Sequence, residues 1–238
     1  MISGFTFVHN ALSVGIPIRE SINAVLPYVD ELLVVDAQST DGTKELVNNM
    51  VNVRVIHTDW GTDAGETLAR LHALHTECKY DTILHFEADE VYDYFLLNRI
   101  KSQLHHKSLA VYRIQVEQNF QRVRWYSELV HRVFKKGTVK KVGHTTDKHD
   151  EAFAVNPEFG LLWDVTNCFR DNYMDRIQQQ AKLWNGEPNQ SFVPIHFKHS
   201  TIDYPDNFLD QPHWTFKTTP LDIPEILKPL VGKTKYES

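Results

Sequence analysis

The sequence predicts an α/β fold built on a mostly parallel, Rossmann-like sheet that becomes mixed in its C-terminal half, and three features of its 238 residues predict it. Short β-rich apolar runs alternate with segments of helical spacing through the N-terminal part, which is the rhythm of strand, helix, strand units. Beyond about residue 108 strand-like runs follow one another without helices between them, as antiparallel pairing allows. Apolar residues make up 42% of the chain, enough for a sizeable core in one domain or one domain with an appendage.

The elements follow in order. "GFTFV" (4–8) and "ELLVV" (31–35) read as the first two strands, and "IPIRESINAVLPYV" between them carries apolar residues at helical spacing, with Pro17 near its start. After "DAQSTDGT", residues 43–50 read as a second helix and "VRVIHT" (53–58) as a third strand. "AGETLARLHALHTE" (64–77) places Leu68, Leu71, Ala73 and Leu74 on one helical side ahead of the strand "TILHF" (82–86). "LAVYRIQVEQ", "RWYSELVHRVFKKG" and "TVKKVGH" then read as strands, and "RDNYMDRIQQQAKLWNG" (170–186) as an amphipathic helix closed by Gly186. Six of the ten prolines lie from Pro194 to Pro229, interleaved with Phe, Trp and His, so the end of the chain reads as a loop-rich but packed tail. The expected organisation is 1–107, 108–186 and 187–238, the last packed on the same domain.

Charge and cysteine usage exclude several classes. A formal charge of -6 with no run of Lys or Arg gives no footprint for nucleic acid or an anionic membrane. Cys78 and Cys168 are the only cysteines and have no metal-ligand spacing, so neither a disulfide framework nor a zinc site is expected, and a cytoplasmic setting fits. No apolar run reaches the length of a transmembrane segment and no signal-peptide pattern follows Met1, so a soluble, unprocessed chain is expected.

In open α/β sheets ligands sit beyond the carboxyl ends of the strands, and the polar clusters fall there. Strand one ends at His9 and Asn10, strand two at "DAQSTDGT" and strand four at "EADE". Asp36 is placed to accept hydrogen bonds from a ribose or base, while "STDGT" is a ligand loop or simply a turn and helix cap. Glu87, Asp89, Glu90 and Asp93 form a knot of like charge that repels itself unless a cation neutralises it. If extended geometry persists, Glu87 and Asp89 face the same way, and two carboxylates suit a hard divalent cation with positions left for phosphates. The alternative is a solvated loop, or a cap on a helix beginning near Tyr92.

Together "ISGFTFVHN", "SINAVLPYVDELLVVDAQSTDGTKELV" and "ILHFEADEVYD" resemble the nucleotide-diphospho-sugar transferases of the GT-A fold, specifically glycosyltransferase family 2. The resemblance covers residues 1 to about 95, with "VHRVFKKGTVKKVGH" similar to the segment that precedes the acceptor site in some members. It implies a metal-dependent, inverting transfer of a sugar from a nucleotide-diphosphate donor, UDP-sugar favoured, to the hydroxyl of a glycan or other acceptor. Asp36 would contact uracil or ribose, with His9 and Asn10 beside it. Glu87 and Asp89 would stand in the Asp-x-Asp motif, Asp89 as the main ligand of Mn2+ or Mg2+. Glu87 departs from the pattern, and Asp164 stands near the place where many members supply a late metal-binding His.

The base expected from the resemblance lies within "GHTTDKHDEAF", where Asp150 is favoured, then Glu151, then Asp147. His144 and His149 are metal ligands, acceptor contacts or surface loop. Arg132 and Lys135 pair with phosphates or merely solubilise an exposed strand. Trp125, Trp163, Trp184 and Trp214 offer aromatic faces to an acceptor sugar or pack in the core. Two other readings fit less of the sequence. A nucleotidyltransferase making an activated sugar would want a Gly-rich basic loop where "VHNALSVGIPIRE" has one Gly and one Arg. A non-catalytic sugar-nucleotide or glycan binding module would need no complete metal site.

Overall fold

The computed structural model of the chain describes residues 1–61, 64–117, 122–139, 152–155, 162–167, 214–217 and 223–231 together with 233 and 236. Four parallel-type strands come first: β1 (Ile2–Val8), β2 (Glu31–Ala37), β3 (Arg54–Thr58) and β4 (Thr82–His85). Helices α1 (Ile18–Val25), α2 (Thr43–Asn48) and α3 (Ala64–Ala73) intervene. β1 pairs in parallel with β2 and β4, and β2 with β3. This is the alternation that the sequence period predicts.

β5 (Glu90–Tyr92) and α4 (Tyr94–Ser102) follow, then β6 (Leu109–Glu117), β7 (Arg122–Lys135), β8 (Phe153–Ala154), β9 (Leu162–Asn167) and β10 (Trp214–Lys217). Among the described residues these build one ten-stranded sheet in the order β3-β2-β1-β4-β7-β6-β9-β5, with β10 beside β7 and β8 beside β6. β7 runs antiparallel to β4 and β6, and β5 antiparallel to β9, so the mixed half expected beyond residue 108 is present. The expected helix at 170–186 lies outside the described residues.

The inner strands are covered on both faces, which is why "LLVV" in β2 is an uninterrupted apolar run rather than an alternating one. Under α1, Ile18, Ile22 and Val25 meet Leu32 and Val34. On the opposite face Leu71 of α3 meets Phe5, Leu33, Val35 and Phe134. α1 sits so close to β1 that a Cβ on Gly4 would come within 3.2 Å of Leu32 and 3.3 Å of Val25. A third cluster joins Val91, Ile114 and Val165 to Leu227, Leu230 and Tyr236, and the Tyr236 hydroxyl donates to Glu20 of α1 at 2.7 Å. The described end of the chain is therefore packed on the sheet. Among the described residues no helix is long and apolar enough to cross a membrane.

Candidate active site

The carboxyl ends of β1, β2, β3 and β4 lie side by side, and the loops leaving them are stitched together by short polar side chains. The Asn10 N–H donates to Ser39 Oγ at 2.9 Å, and Asn10 Oδ1 accepts from the Thr40 N–H at 2.8 Å. Asp41 accepts from the backbone N–H groups of Ser13 (2.7 Å) and Thr43 (3.0 Å), and Thr43 Oγ1 from that of Leu12 (3.1 Å). Burial would raise the Asp41 carboxyl, but the Thr43 and Ser13 donors outweigh it and hold the pKa below its ordinary value. Gly42, at φ +94°, makes the left-handed turn into α2. "STDGT" thus fastens the loop after β2 to the loop after β1.

Asp36 lies at the end of β2, beside His57 of β3 in the strand register, and His57 Nδ1 is 3.2 Å from Asp36 Oδ2. The sequence suggests an accessible strand end, yet Asp36 is only 1% exposed. Its Oδ1 is buried and has no hydrogen-bond partner among the described residues, which is the condition of an acceptor awaiting a donor. His9, at the end of β1, stacks on Trp60 beyond β3, with ring centroids 4.0 Å apart and planes 4° from parallel. Burial lowers the His9 pKa, against the opposing hydrogen bond to Ala37 and the charges of Asp41 and Asp36.

The acidic knot after β4 has an answer inside the protein. Glu90 is fully buried and takes both ends of the Arg132 guanidinium, Nε on Oε2 at 3.0 Å and Nη2 on Oε1 at 2.6 Å. Arg132 Nη2 also reaches Glu87 Oε1 at 3.3 Å. Arg113 of β6 lies 3.5 Å from Glu90 Oε1 and 3.8 Å from Asp164 Oδ2, so charges alternate along the path Glu87, Arg132, Glu90, Arg113, Asp164. Burial works against both guanidiniums, but Glu90 and Glu87 outweigh it for Arg132, and Asp164 and Glu90 for Arg113, so both stay charged. Burial likewise pushes the Glu90 carboxyl up while Arg132 opposes the shift. His85, fully buried next to this group, is pushed well below its ordinary pKa by burial and then by Arg132, and stays neutral.

Extended geometry does not persist through this segment. The Glu87 N–H donates to Glu90 Oε2 at 3.0 Å and the Glu87 carbonyl accepts the Glu90 N–H at 2.9 Å, which closes a turn at Ala88 and Asp89. The alternation that would aim Glu87 and Asp89 the same way is thereby lost. Asp89 remains partly exposed in the turn, while Ala88 C=O is held by the Ser21 hydroxyl at 2.7 Å.

Other expectations meet the structure as follows. Arg132 is not on an exposed strand face: it is 0% exposed and bound to Glu90 and Glu87. Lys135 is at the far end of β4, where its ammonium donates to Thr82 Oγ1 at 2.7 Å. Asp164 is 3% exposed, opposite Glu90 in the β5–β9 register and next to Arg113. Asp93 caps α4, accepting from the Phe95 N–H at 2.7 Å, so the helix-cap reading holds for that member of the knot. Asp147, Asp150, Glu151, His144, His149 and Trp184 lie outside the described residues. The sequence reading missed His57 and Trp60, for which the signal was their position at the carboxyl end of the third strand and just past it. It also missed Arg113, whose only signal was that four nearby acids need cations.

Of the four carboxylates here, Glu90 and Asp164 are buried beside Arg132 and Arg113, while Glu87 and Asp89 are partly exposed. Among the described residues no three His, Cys, Asp or Glu side chains are grouped to hold a metal by themselves. Glu87 and Asp89, the partly exposed carboxylates of the turn, are the residues that would hold an ion of the Mg2+ kind, which takes one or two carboxylates and otherwise phosphate oxygens.

A family model described as "Glycosyl transferase family 2" matches residues 8–159. No curated protein sequence matches the chain. Solved structures with a similar arrangement include Staphylococcus aureus TarS 1-349 in complex with UDP (21% identity, TM-score 0.39, covering 48% of this chain and 36% of that one). Glucosyl-3-phosphoglycerate synthase from Mycobacterium tuberculosis, in complex with Mn2+, UDP and glucosyl-3-phosphoglycerate, is another (21%, TM-score 0.36, 48% and 44%). A third is 4-diphosphocytidyl-2C-methyl-D-erythritol synthase from Anaerococcus prevotii (11%, TM-score 0.40, 57% and 71%). The chain spans about a third of the length of TarS 1-349.

Proposed function

The chain belongs to glycosyltransferase family 2, and from that premise we propose that it transfers a sugar from a nucleoside-diphosphate donor, UDP-sugar favoured, to an acceptor hydroxyl. The observation that carries this reading is the placement of Asp36, with its unsatisfied buried Oδ1, and the acidic turn Glu87–Glu90 at the carboxyl ends of β2 and β4, the two strands that flank β1. Asp36 accepts a hydrogen bond from a hydroxyl or N–H of the nucleoside. Asp89, with Glu87 beside it, would hold Mn2+ or Mg2+, and such an ion when bound would offset the charge gathering on the departing diphosphate. Arg132 ties the side chains of Glu87 and Glu90 together beneath the turn.

Inversion follows from direct displacement: the acceptor oxygen bonds to the anomeric carbon as the bond to the diphosphate oxygen breaks. The acceptor proton passes to a carboxylate, for which Asp150 is our choice and Glu151 the next. A thermal-shift titration with UDP, with and without Mn2+, tests the donor site, since a ligand of the native state raises the melting temperature. Wild type should respond to UDP more strongly with the ion, and Asp89→Asn should lose that difference. An unchanged metal response in Asp89→Asn would take Asp89 out of the site.

A further inference from the structure

Helix α1 carries one residue that its packing does not explain. Its buried positions are Ile18, Ser21, Ile22 and Val25, the spacing of a core-facing stripe, and Ser21 stands where that stripe calls for an apolar side chain. Ser21 is 0% exposed, and a hydroxyl is costly to bury unless it is bonded. The ordinary use of such a hydroxyl is a bond back to the carbonyl one turn earlier, and Pro17 C=O does lie 3.1 Å from Ser21 Oγ. That carbonyl, however, already accepts the Ser21 N–H at 3.0 Å. The shorter contact of the hydroxyl, 2.7 Å, is to Ala88 C=O, 67 residues further along.

This bond reaches into the acidic turn. Glu87 and Glu90 close the turn on itself, which leaves the direction of its two inner carbonyls to be set by other elements. Ser21 holds the Ala88 carbonyl from α1, and the Val165 N–H of β9 holds the Asp89 carbonyl at 2.9 Å. The peptides on either side of the Asp89 Cα are thereby both fixed, and with them the direction in which its side chain leaves the turn. Ser21 and Val165 are buried, whereas Asp89 stays partly exposed. We infer that Ser21 is a positioning residue for the divalent cation: its hydroxyl orients the peptide between Ala88 and Asp89 so that the Asp89 carboxylate meets the ion. This rests on the nucleotide-donor reading above, in which Asp89 is the ligand, and Ser21 acts through Asp89 alone.

The test is calorimetric titration of wild type, Ser21→Ala and Ile22→Val with UDP, with and without Mn2+. Ser21→Ala deletes a single oxygen from a helix that alanine favours. The increase in UDP affinity that Mn2+ brings should shrink roughly three- to tenfold in Ser21→Ala, the worth of one hydrogen bond, while the affinity without the ion stays at the wild-type value. Ile22→Val shortens a buried neighbour on the same stripe and leaves the Ser21 hydroxyl in place, so it should keep the whole increase. Should Ser21→Ala not fold, Ser21→Cys, whose thiol fills the site and donates weakly, is titrated instead with the same expectation. An undiminished response to Mn2+ in the Ser21 variant overturns the inference. So does an equal loss in Ile22→Val, or a loss of the affinity measured without the ion, either of which assigns Ser21 to packing alone. A wild type whose UDP affinity does not respond to Mn2+ removes the ion from the donor reading itself, and the inference with it.

Discussion

Replacing Arg132 by Met tests whether the buried guanidinium or something else neutralises the acids after β4. The substitution keeps an unbranched apolar stem and removes the 2.6 and 3.0 Å bonds to Glu90 and the 3.3 Å contact with Glu87. Glu90, fully buried, is then left with Arg113 at 3.5 Å as its nearest cation. Removing one partner of a buried pair typically costs about 3–5 kcal/mol, because the remaining charge is stranded rather than because the pair was strongly stabilising. Stability would be read from urea unfolding at several pH values. Burial already pushes the Glu90 carboxyl up, and without Arg132 it should rise further.

The sign of the pH effect follows from that direction. Between the unfolded carboxyl pKa and the raised folded one, the native state holds a proton that the unfolded state lacks. Stability is therefore fully present below the unfolded pKa and falls as pH rises through the folded pKa, by at most about 1.4 kcal/mol per pH unit for one group. The deficit of Arg132→Met against wild type should be larger at pH 8 than at pH 5. The double variant Arg132→Met, Glu90→Leu should recover much of the loss, since apolar replacement of a buried pair is often neutral. A deficit below about 1 kcal/mol, or one that does not change with pH, would refute this account of the cluster.

Gly42→Ala should destabilise by about 1–2 kcal/mol through the left-handed backbone at φ +94°, since the added Cβ meets Leu12 only at an ordinary 3.5 Å; equilibrium unfolding measures it. The Cys78 thiol, pushed up to about 12 first by burial and then by Glu31, should resist alkylation in the native protein at neutral pH and react on unfolding, as peptide mass mapping would record. Asp150→Asn, or else Glu151→Gln, should bind UDP with Mn2+ normally and transfer at least about a hundredfold more slowly. Full transfer by both variants would move the base to Asp147 or Asp164.

The order of strands and helices through β4 was legible because each depends on neighbours a few residues away: the period of apolar positions, Pro17 at the start of α1 and Gly42 before α2. The clustering of polar residues at strand ends was legible for the same reason, given only that parallel strands share a carboxyl edge. β5, three residues long, carries no period, and it exists because Glu90, Val91 and Tyr92 find β9 70 to 74 residues further along. The direction of Glu87 and Asp89 was misread from alternation because a side chain, Glu90, captures the Glu87 backbone and turns the chain. Arg132, 42 residues from Glu90, read as a surface charge, since a local window shows a basic residue on a strand and not the buried carboxylate beside it. Local sequence thus determined which elements form and which strand ends carry the polar clusters. Tertiary structure decided which charges are buried against each other, because that balance of desolvation and pairing depends on partners that only the folded sheet brings together.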